Sequence, residues 1–258
     1  MRIFPTPPYH DEPELLDSAH RFSRNELEAT LRDIRRANIF GLGTWVIIHH
    51  LSRLVRNLPT SRPLRVLDVA TGSGDIPEEL CRWARRQGRK IELVLTDISA
   101  PILNIARQRI VKAGFADRMS FVVCDATHMP FADGSFDVAL CSLTFHHLKP
   151  EQARQVLRQM ARVARIGFIV NDIYRSRGAW YTARFLTHAT FASSLTCHDG
   201  PASVLRAYTP VELARLAASA GLNARIYRHP FWRAALVVTT TNTTLDRNQN
   251  GPETDVQS

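Results

Sequence analysis

The hydrophobic positions change their period along the chain, and this change divides it into two parts. Between residues 13 and 58, apolar residues recur at intervals of three and four, which predicts two or three amphipathic helices. From Leu64 onward, short β-branched runs alternate with stretches of helical period. Strands that alternate with helices are typical of an α/β fold with a parallel sheet, so we expect that architecture.

The individual elements follow from the same pattern. We predict strands at 64–69, 91–96, 120–124, 136–141, 167–172, 223–227 and 232–240, and helices at 76–87, 101–113 and 150–163. Thr209 before Pro210 is typical of a helix start, and Gly221 is typical of its end. The stretch 174–208 interrupts the alternation and predicts one or two helices over an edge of the sheet.

These elements give an expected domain organisation. Residues 1–60 form a helical N-terminal cap, and residues 61–241 form the α/β domain, with a helical lid inserted at 174–208. The polar residues 242–258 show no periodicity, and we expect them to form a disordered tail.

Composition and charge narrow the possible partners. The 258 residues carry a formal net charge of +9, which would attract a polyanion. The arginines are spread over several predicted helices, however, so solvated helix faces explain them better than a nucleic-acid surface. The longest stretch without charged residues, 37–52, is too short and too polar to span a membrane, and no secretory signal opens the chain. We therefore expect a cytoplasmic protein without a membrane span.

The four cysteines do not indicate a metal or disulfide site. They lie far apart, without a CxxC pair or a histidine at zinc-like spacing. We expect reduced thiols and assign no metal ligand.

Three carboxylates follow the ends of three successive predicted strands. Asp68 precedes a glycine loop that would bring backbone amides to a ligand at a helix start. Asp97 can accept both hydroxyls of a ribose, and Asp125 can accept an adenine amine. Pro77 stands where a dinucleotide fingerprint needs a small residue. The set indicates a nucleoside ligand; the alternatives are a helix cap for Asp97 and a turn residue for Asp125.

These residues resemble the class I S-adenosylmethionine-dependent methyltransferases. The similar motifs are Asp-Val-Ala-Thr-Gly-Ser-Gly-Asp at 68–75, Thr-Asp-Ile-Ser at 96–99, Asp125-Ala126 with Met-Pro-Phe at 129–131, and Ser-Phe-Asp at 135–137. The sequences of these motifs are most similar to those of the ubiquinone/menaquinone-type enzymes, and the resemblance covers roughly residues 64 to 172. The resemblance implies a Rossmann-like sheet of seven strands in the order 3-2-1-4-5-7-6, with strand 7 antiparallel, and S-adenosylmethionine as cofactor.

The resemblance also implies roles for single residues. Asp68, Gly72 and Gly74 would line the methionine end of the donor, and Ala70 replaces the first glycine of the usual loop. Asp97 would hold the ribose, with Ile98 against the adenine. The full set of implied donor-binding residues is Asp68, Ala70, Gly72, Gly74, Asp97, Ile98, Asp125, Ala126 and Ser142.

The acceptor should bind at the carboxyl end of strand four, where the chain reads Ser142 to Leu148. The Asn/Asp-Pro-Pro-aromatic element of nucleic-acid amino-methylating enzymes is absent there, which favours a small molecule. His147, or its neighbour His146, is a candidate general base, and His198 in the lid is a second one. The alternative is capping or packing of the loop for His146 and His147, and a surface-loop histidine for His198. Further candidates are Asp172 and Asp199, and the aromatic residues Trp45, Trp180, Tyr181 and Phe185 as pocket wall or core.

The sequence thus predicts a methyltransferase of oxygen or carbon in a small phenolic, quinone-like or polyketide-like molecule. The catalytic candidates are His147 and His198. Two alternatives stay open: methylation of protein or RNA, suggested by the +9 charge, and a nucleoside-binding protein without catalysis. The sequence indicates no oligomeric state.

Overall fold

The structure is a computed structural model of the chain, and it describes residues 6–11, 14–16, 22–190 and 194–240. The backbone alone is described at 186–190 and 194. The expected tail at 242–258 lies outside the described residues, as do Ala19 and Phe191 of the predicted helices.

A seven-stranded sheet forms the centre of the molecule. Its order is β3-β2-β1-β4-β5-β7-β6, and β7 runs antiparallel to both of its neighbours. Order and direction confirm the predicted sheet. The strands are β1 Leu64–Val69, β2 Ile91–Asp97, β3 Met119–Val123, β4 Phe136–Ser142, β5 Ala164–Ile173, β6 Ala224–His229 and β7 Arg233–Thr239.

Eight helices are present in the described part of the chain. Two lie before the sheet and two in the inserted segment, in agreement with the numbers that the sequence allowed. They are α1 Arg24–Phe40, α2 Gly43–Leu54, α3 Asp75–Arg86, α4 Ala100–Lys112, α5 Pro150–Val163, α6 Arg177–Thr190, α7 Ser194–Arg206 and α8 Pro210–Ser219.

Two apolar layers hold the helices against the sheet. Helices α5 and α8 cover one face, and α2, α3 and α4 cover the other. Because strand residues alternate between the faces, Leu67 of β1 belongs to the first layer and Val66 to the second. Both are fully buried. A strand covered on both sides reads as a continuous apolar run, which is why β1 and β4 were visible in the sequence.

A serine or threonine capping box starts helices α1 and α8. Thr209 accepts a hydrogen bond from the backbone of Glu212, and Glu212 reaches back to the Thr209 amide, as the sequence predicted for the start of α8. Ser23 and Glu26 form the same capping box at α1. These caps fix where α1 and α8 begin relative to the sheet.

Helices α1, α6 and α7 gather at the carboxyl-terminal edge of the sheet. Helix α7 contacts α1 and a 3-10 turn, Phe145–His147, that follows β4. The inserted helices therefore lie over the ends of β4 and β5, where parallel sheets bind their ligands. Among the described residues, no helix combines the length and the apolar character needed to cross a bilayer.

A buried carboxylate closes the opposite end of the sheet. Asp137 of β4 accepts hydrogen bonds from Arg62 at 2.9 Å and from Arg165 at 2.6 Å, and a third from the Arg65 amide at 2.9 Å. Burial alone would raise the pKa of Asp137, but these hydrogen bonds and the charge of Arg165 hold it below its usual value.

Replacement of Asp137 by Asn should lower the free energy of unfolding at pH 7 by about 1–3 kcal/mol, because the arginines lose a charged partner. A depressed pKa stabilises the protein above the ordinary titration range of Asp near pH ~4, and this contribution disappears as the pH falls through the folded pKa. Denaturant unfolding at pH 7 and at pH 3 measures both effects. Glu92→Gln, in an exposed pair with Arg65, is the matched control and should change stability by less than about 1 kcal/mol; equal losses in the two variants would contradict the assignment.

Candidate functional site

The glycine loop turns sharply after β1. Ala70, Gly72 and Gly74 all have positive φ angles, of 54°, 54° and 71°. Such angles suit glycine, so Ala70 occupies a strained conformation where the resemblance expects a glycine. The Thr71 amide donates to the Thr96 carbonyl at 2.7 Å and holds the loop against β2. A Cβ added at Gly72 would meet no atom within 4 Å, so the space above the loop is open to a ligand.

Asp97 ends β2 and faces this loop. Its Oδ2 accepts from the Gly72 amide at 3.1 Å and its Oδ1 from the Ser99 amide at 2.9 Å. Burial raises the pKa of the Asp97 carboxyl, although these amides oppose the shift. The side chain of the next residue, Ile98, is 72% exposed beside it. Carboxylate, amides and an exposed apolar surface therefore lie together, a combination that suits a ribose and an adenine ring.

Asp68 is the most perturbed carboxyl group of the loop. Burial raises its pKa to about 7, and the negative charges of Asp75 and Asp97 act in the same direction, while a hydrogen bond with Thr71 opposes them. A cation placed beside a carboxyl group with a raised pKa stabilises the ionised form of that group. The methionine end of S-adenosylmethionine carries two such cationic groups, an ammonium and a sulfonium.

The remaining predicted donor residues are placed less distinctively. Asp125 is exposed and accepts from the amide and hydroxyl of Thr127, both at 2.8 Å, which is the turn interaction considered as its alternative role. Ala126 follows it, half-buried. Ser142 accepts from the Asn171 amide group at 2.8 Å at the end of β4. These three stay predictions.

An apolar cavity of about 490 Å³ lies under the lid, at the carboxyl ends of β4 and β5. Its walls come from α1, α6, α7 and the turn between β6 and β7, and include Ile34, Phe40, Val204, Phe231 and Trp232.

The aromatic residues considered for this wall lie elsewhere. Trp45, Tyr181 and Phe185 are 48%, 63% and 74% exposed, and Trp180 is not among the residues that line the cavity. Because each faces outward from its helix, the periodicity could not place it at the cavity.

A polar cluster forms one end of the cavity. His146 Nδ1 lies 2.8 Å from Asp172 Oδ1, and the His146 amide donates to Asp172 Oδ2 at 3.1 Å. His146 Nε2 lies 3.6 Å from Oε1 of Glu14, and His147 Nε2 lies 3.7 Å from Oε2 of the same carboxylate. Burial alone would raise the pKa of Asp172, but the charge and hydrogen bonds of His146 lower it. Asp172 therefore orients the His146 ring, and the two histidines face Glu14.

Glu14 belongs to an N-terminal strap, residues 6–16 where described, that crosses the insert. Asp199 of α7 accepts from the Leu15 amide at 2.9 Å and from the Leu16 amide at 3.0 Å. Arg175 also donates to the Pro7 carbonyl at 3.1 Å. Sequence reasoning missed Glu14, because an acidic residue in a polar, Pro-rich segment carries no periodic signal.

His198 is placed differently from the sequence expectation of an acceptor-facing base. Its side chain is 43% exposed and its Nδ1 lies 2.9 Å from Asp199, which itself lines the cavity. His198 is not among the lining residues, whereas His146 and His147 both are. The role of His198 as a base stays a prediction.

Replacement of Asp199 by Ala should release the strap. Loss of two charge-assisted hydrogen bonds lowers the free energy needed to open the strap by about 1.5–3 kcal/mol. The Leu15 and Leu16 amides should therefore exchange about 10- to 100-fold faster. Hydrogen exchange resolved at these amides measures this. Asp11→Ala, which removes an exposed contact with Tyr9 in the same strap, should leave the rate unchanged. Unaltered exchange in Asp199→Ala would show that other contacts hold the strap.

Comparisons with known proteins agree with this geometry. Residues 66–167 match a family model described as a methyltransferase domain. The ubiquinone/menaquinone biosynthesis C-methyltransferase UbiE of Rickettsia typhi is 31% identical over 121 residues, which cover 43% of this chain and 49% of that protein. The enzyme of the same name from Xylella fastidiosa is 37% identical over 103 residues, covering 40% of this chain and 39% of the relative. The match thus spans less than half the length of these relatives.

A solved structure extends the likeness to the whole fold. A SAM-dependent methyltransferase from Aquifex aeolicus superposes with a TM-score of 0.57 at 16% identity, over 85% of this chain and 99% of that one. Sheet order, glycine loop and the matched segment confirm the predicted resemblance: residues 66–167 match the methyltransferase-domain family, and the chain has the fold of the class I S-adenosylmethionine-dependent methyltransferases.

Proposed function

We propose that this protein transfers the methyl group of S-adenosylmethionine to an oxygen or carbon atom of a small, largely apolar molecule. The observation that carries the proposal is the apolar cavity of about 490 Å³ at the carboxyl ends of β4 and β5. Small-molecule sites are concave, mostly apolar and supplied with a few polar groups, and this cavity has that character. A macromolecular acceptor would call for an open, charged surface instead.

The donor half is proposed from the glycine loop and its acids. Asp68 would face the cationic methionine end, Asp97 would hold the ribose hydroxyls, and Ile98 would cover one face of the adenine. Gly72 and Gly74 leave the loop backbone free to approach the ligand. When bound, S-adenosylmethionine supplies an electrophilic methyl group on a cationic sulfur.

The two halves of the site meet at His147. This residue lines the cavity, and its charge acts on Asp97, where it lowers a pKa that burial raises. An imidazole that is electrostatically coupled to the proposed ribose ligand and also faces the cavity supports a shared boundary between donor and acceptor. Leu143, the residue after β4, lines the cavity on the same side.

The walls favour a rigid apolar acceptor with one polar end. Phe40, Phe231 and Trp232 offer aromatic surface, and the polar cluster of Glu14, His146 and His147 occupies one end. A phenolic, quinone-like or polyketide-like molecule fits this division. The names of the two curated relatives, which refer to ubiquinone and menaquinone biosynthesis, agree with that class.

Catalysis needs little more than placement. Methyl transfer is an in-line displacement, so holding the acceptor atom about 3 Å from the methyl carbon supplies much of the rate. A base is required only when the acceptor atom carries a proton, and His147 is proposed to act on that atom.

We expect label from methyl-labelled S-adenosylmethionine to enter an organic-extractable product when the purified protein is incubated with a cell extract. Ala183→Phe, which fills part of the cavity, should lower this turnover at least about 10-fold without changing donor affinity, because an overfilled pocket excludes the acceptor. The same change at the exposed Ala214 of α8 is the control. Label found only in macromolecules would reject a small-molecule acceptor, and donor binding without any label would reject catalysis.

Donor affinity should depend on pH through Asp68. With a pKa of about 7, this carboxyl group is mostly protonated below that pH, and only its ionised form attracts the cationic donor. Affinity should therefore rise with pH by up to about tenfold per unit below pH 7 and level off above it. Calorimetry between pH 5.5 and 8.5 on wild type and Asp68→Asn tests this, since the variant should lose the dependence. Parallel pH profiles in the two proteins would place the titrating group elsewhere.

A further inference from the structure

We propose that Glu14, His146 and His147 bind a divalent transition-metal ion such as Zn²⁺ at the polar end of the cavity. Each of the three residues offers a ligand atom, and these atoms lie within 4.8 Å of one another. Two imidazoles and one carboxylate form a donor set that binds zinc and iron in proteins. Glu14 and the two histidines are far apart along the chain, so their spacing does not predict a metal site.

The distances within the cluster suit a metal better than direct hydrogen bonds. Hydrogen bonds between a ring nitrogen and an oxygen cluster at about 2.7–3.2 Å. The Glu14 carboxylate lies 3.6 Å from His146 Nε2 and 3.7 Å from His147 Nε2. Ligand atoms about 2.1 Å from a tetrahedral zinc ion are about 3.4 Å apart. Each histidine nitrogen lies near that separation from a different oxygen of Glu14.

Asp172 prepares His146 for this role. It engages Nδ1 of the ring at 2.8 Å and also accepts from the His146 and Ile173 amides, at 3.1 and 2.7 Å. The ring therefore presents Nε2 toward Glu14. A carboxylate behind a metal-binding histidine is the usual arrangement around such ions, because it fixes the tautomer and the ring direction.

The charges nearest to the cluster also suit a cation. Glu14 and Asp172 bring two negative charges, and Arg206, 4.0 Å from Glu14, brings one positive charge. With neutral imidazoles these groups sum to one negative charge in a buried environment. A divalent ion changes the sum to one positive charge, and an anionic acceptor oxygen on the metal then balances it.

The site faces the place where the proposed acceptor binds. Glu14, His146 and His147 all line the cavity, and three protein ligands leave at least one coordination position for an exogenous oxygen. This role rests on the proposed function, whereas binding of the ion itself does not. It makes His147 a ligand rather than a free base.

The chemical step then needs no separate base. A hydroxyl group of the acceptor, when bound to the ion, would have a lowered pKa and would lose its proton to water. Its oxygen forms a bond to the methyl carbon while the carbon–sulfur bond breaks and its electron pair returns to sulfur. The products are the methyl ether and S-adenosylhomocysteine.

Zinc titration of the full chain tests the site. Protein freed of metal by dialysis against a chelator is titrated with Zn²⁺ in competition with a chromogenic chelator. Wild type should bind one equivalent tightly. Glu14→Gln and His147→Gln should each weaken that binding by about 100-fold or more, since even a residue that only orients a ligand contributes about 10- to 100-fold. Zinc should also slow exchange of the Leu15 and Leu16 amides, because it holds the strap through Glu14.

A second histidine cluster provides the matched control. His50 and His229 lie on α2 and β6, outside the cavity, with their Nε2 atoms 2.9 Å apart. His229→Gln should retain the tight equivalent. Tight binding that is lost in His229→Gln but kept in Glu14→Gln overturns the proposal, as does equal weak binding by all four proteins. Folding of each variant is checked by its far-UV circular dichroism spectrum and its thermal midpoint.

The proposed function and the proposed metal site can be contradicted by different results. Methyl transfer by metal-free protein at the full rate would remove the metal from catalysis and leave the methyltransferase assignment intact. Tight zinc binding without methylation of any extract would support the site and reject the proposed role.

Discussion

The polar end of the cavity depends on one buried carboxylate, Asp172 at the end of β5. Its two oxygens accept hydrogen bonds from the His146 ring and from the His146 and Ile173 amides. These contacts join β5 to the 3-10 turn after β4 and keep the charge satisfied away from water. Without them the His146 ring would lose the hydrogen bond that sets its direction. The chemistry of the cavity is therefore set from inside the sheet.

A second polar connection joins the two halves of the site through α1. Arg233 of β7 donates to Asn38 at 3.2 Å, Asn38 donates to Asp75 at 3.1 Å, and Ser73 of the glycine loop donates to Asp75 at 3.1 Å. Arg233 is buried, and burial lowers its pKa to about 10. Gly43 leaves space for this series of hydrogen bonds, because a Cβ there would lie 2.5 Å from Asn38 Oδ1. Helix α1 thus contacts the loop on one side and the cavity on the other.

The sheet could be predicted from the sequence, whereas the cavity could only be located approximately. Buried strands such as β1 leave continuous apolar runs, and the glycine loop leaves residues that only a special backbone requires. These signals are local. The strap that carries Glu14 meets Asp199 across 184 residues of the chain, and neither partner carries a local pattern that reveals the contact. His146 illustrates the same limit: the sequence offered two adjacent histidines, and the register of β5, which places Asp172 behind one of them, determines which ring is fixed.

The contact between the strap and α7 determines when, during synthesis of the chain, the cavity can form. Asp199 and Leu15 are separated by 184 residues, so the strap leaves the ribosome long before its partner is made. At ordinary translation rates this interval lasts roughly 10 to 40 s. During that interval the growing chain has no α7 on which Glu14 can be placed. The cavity can therefore be completed only after α7 has been synthesised.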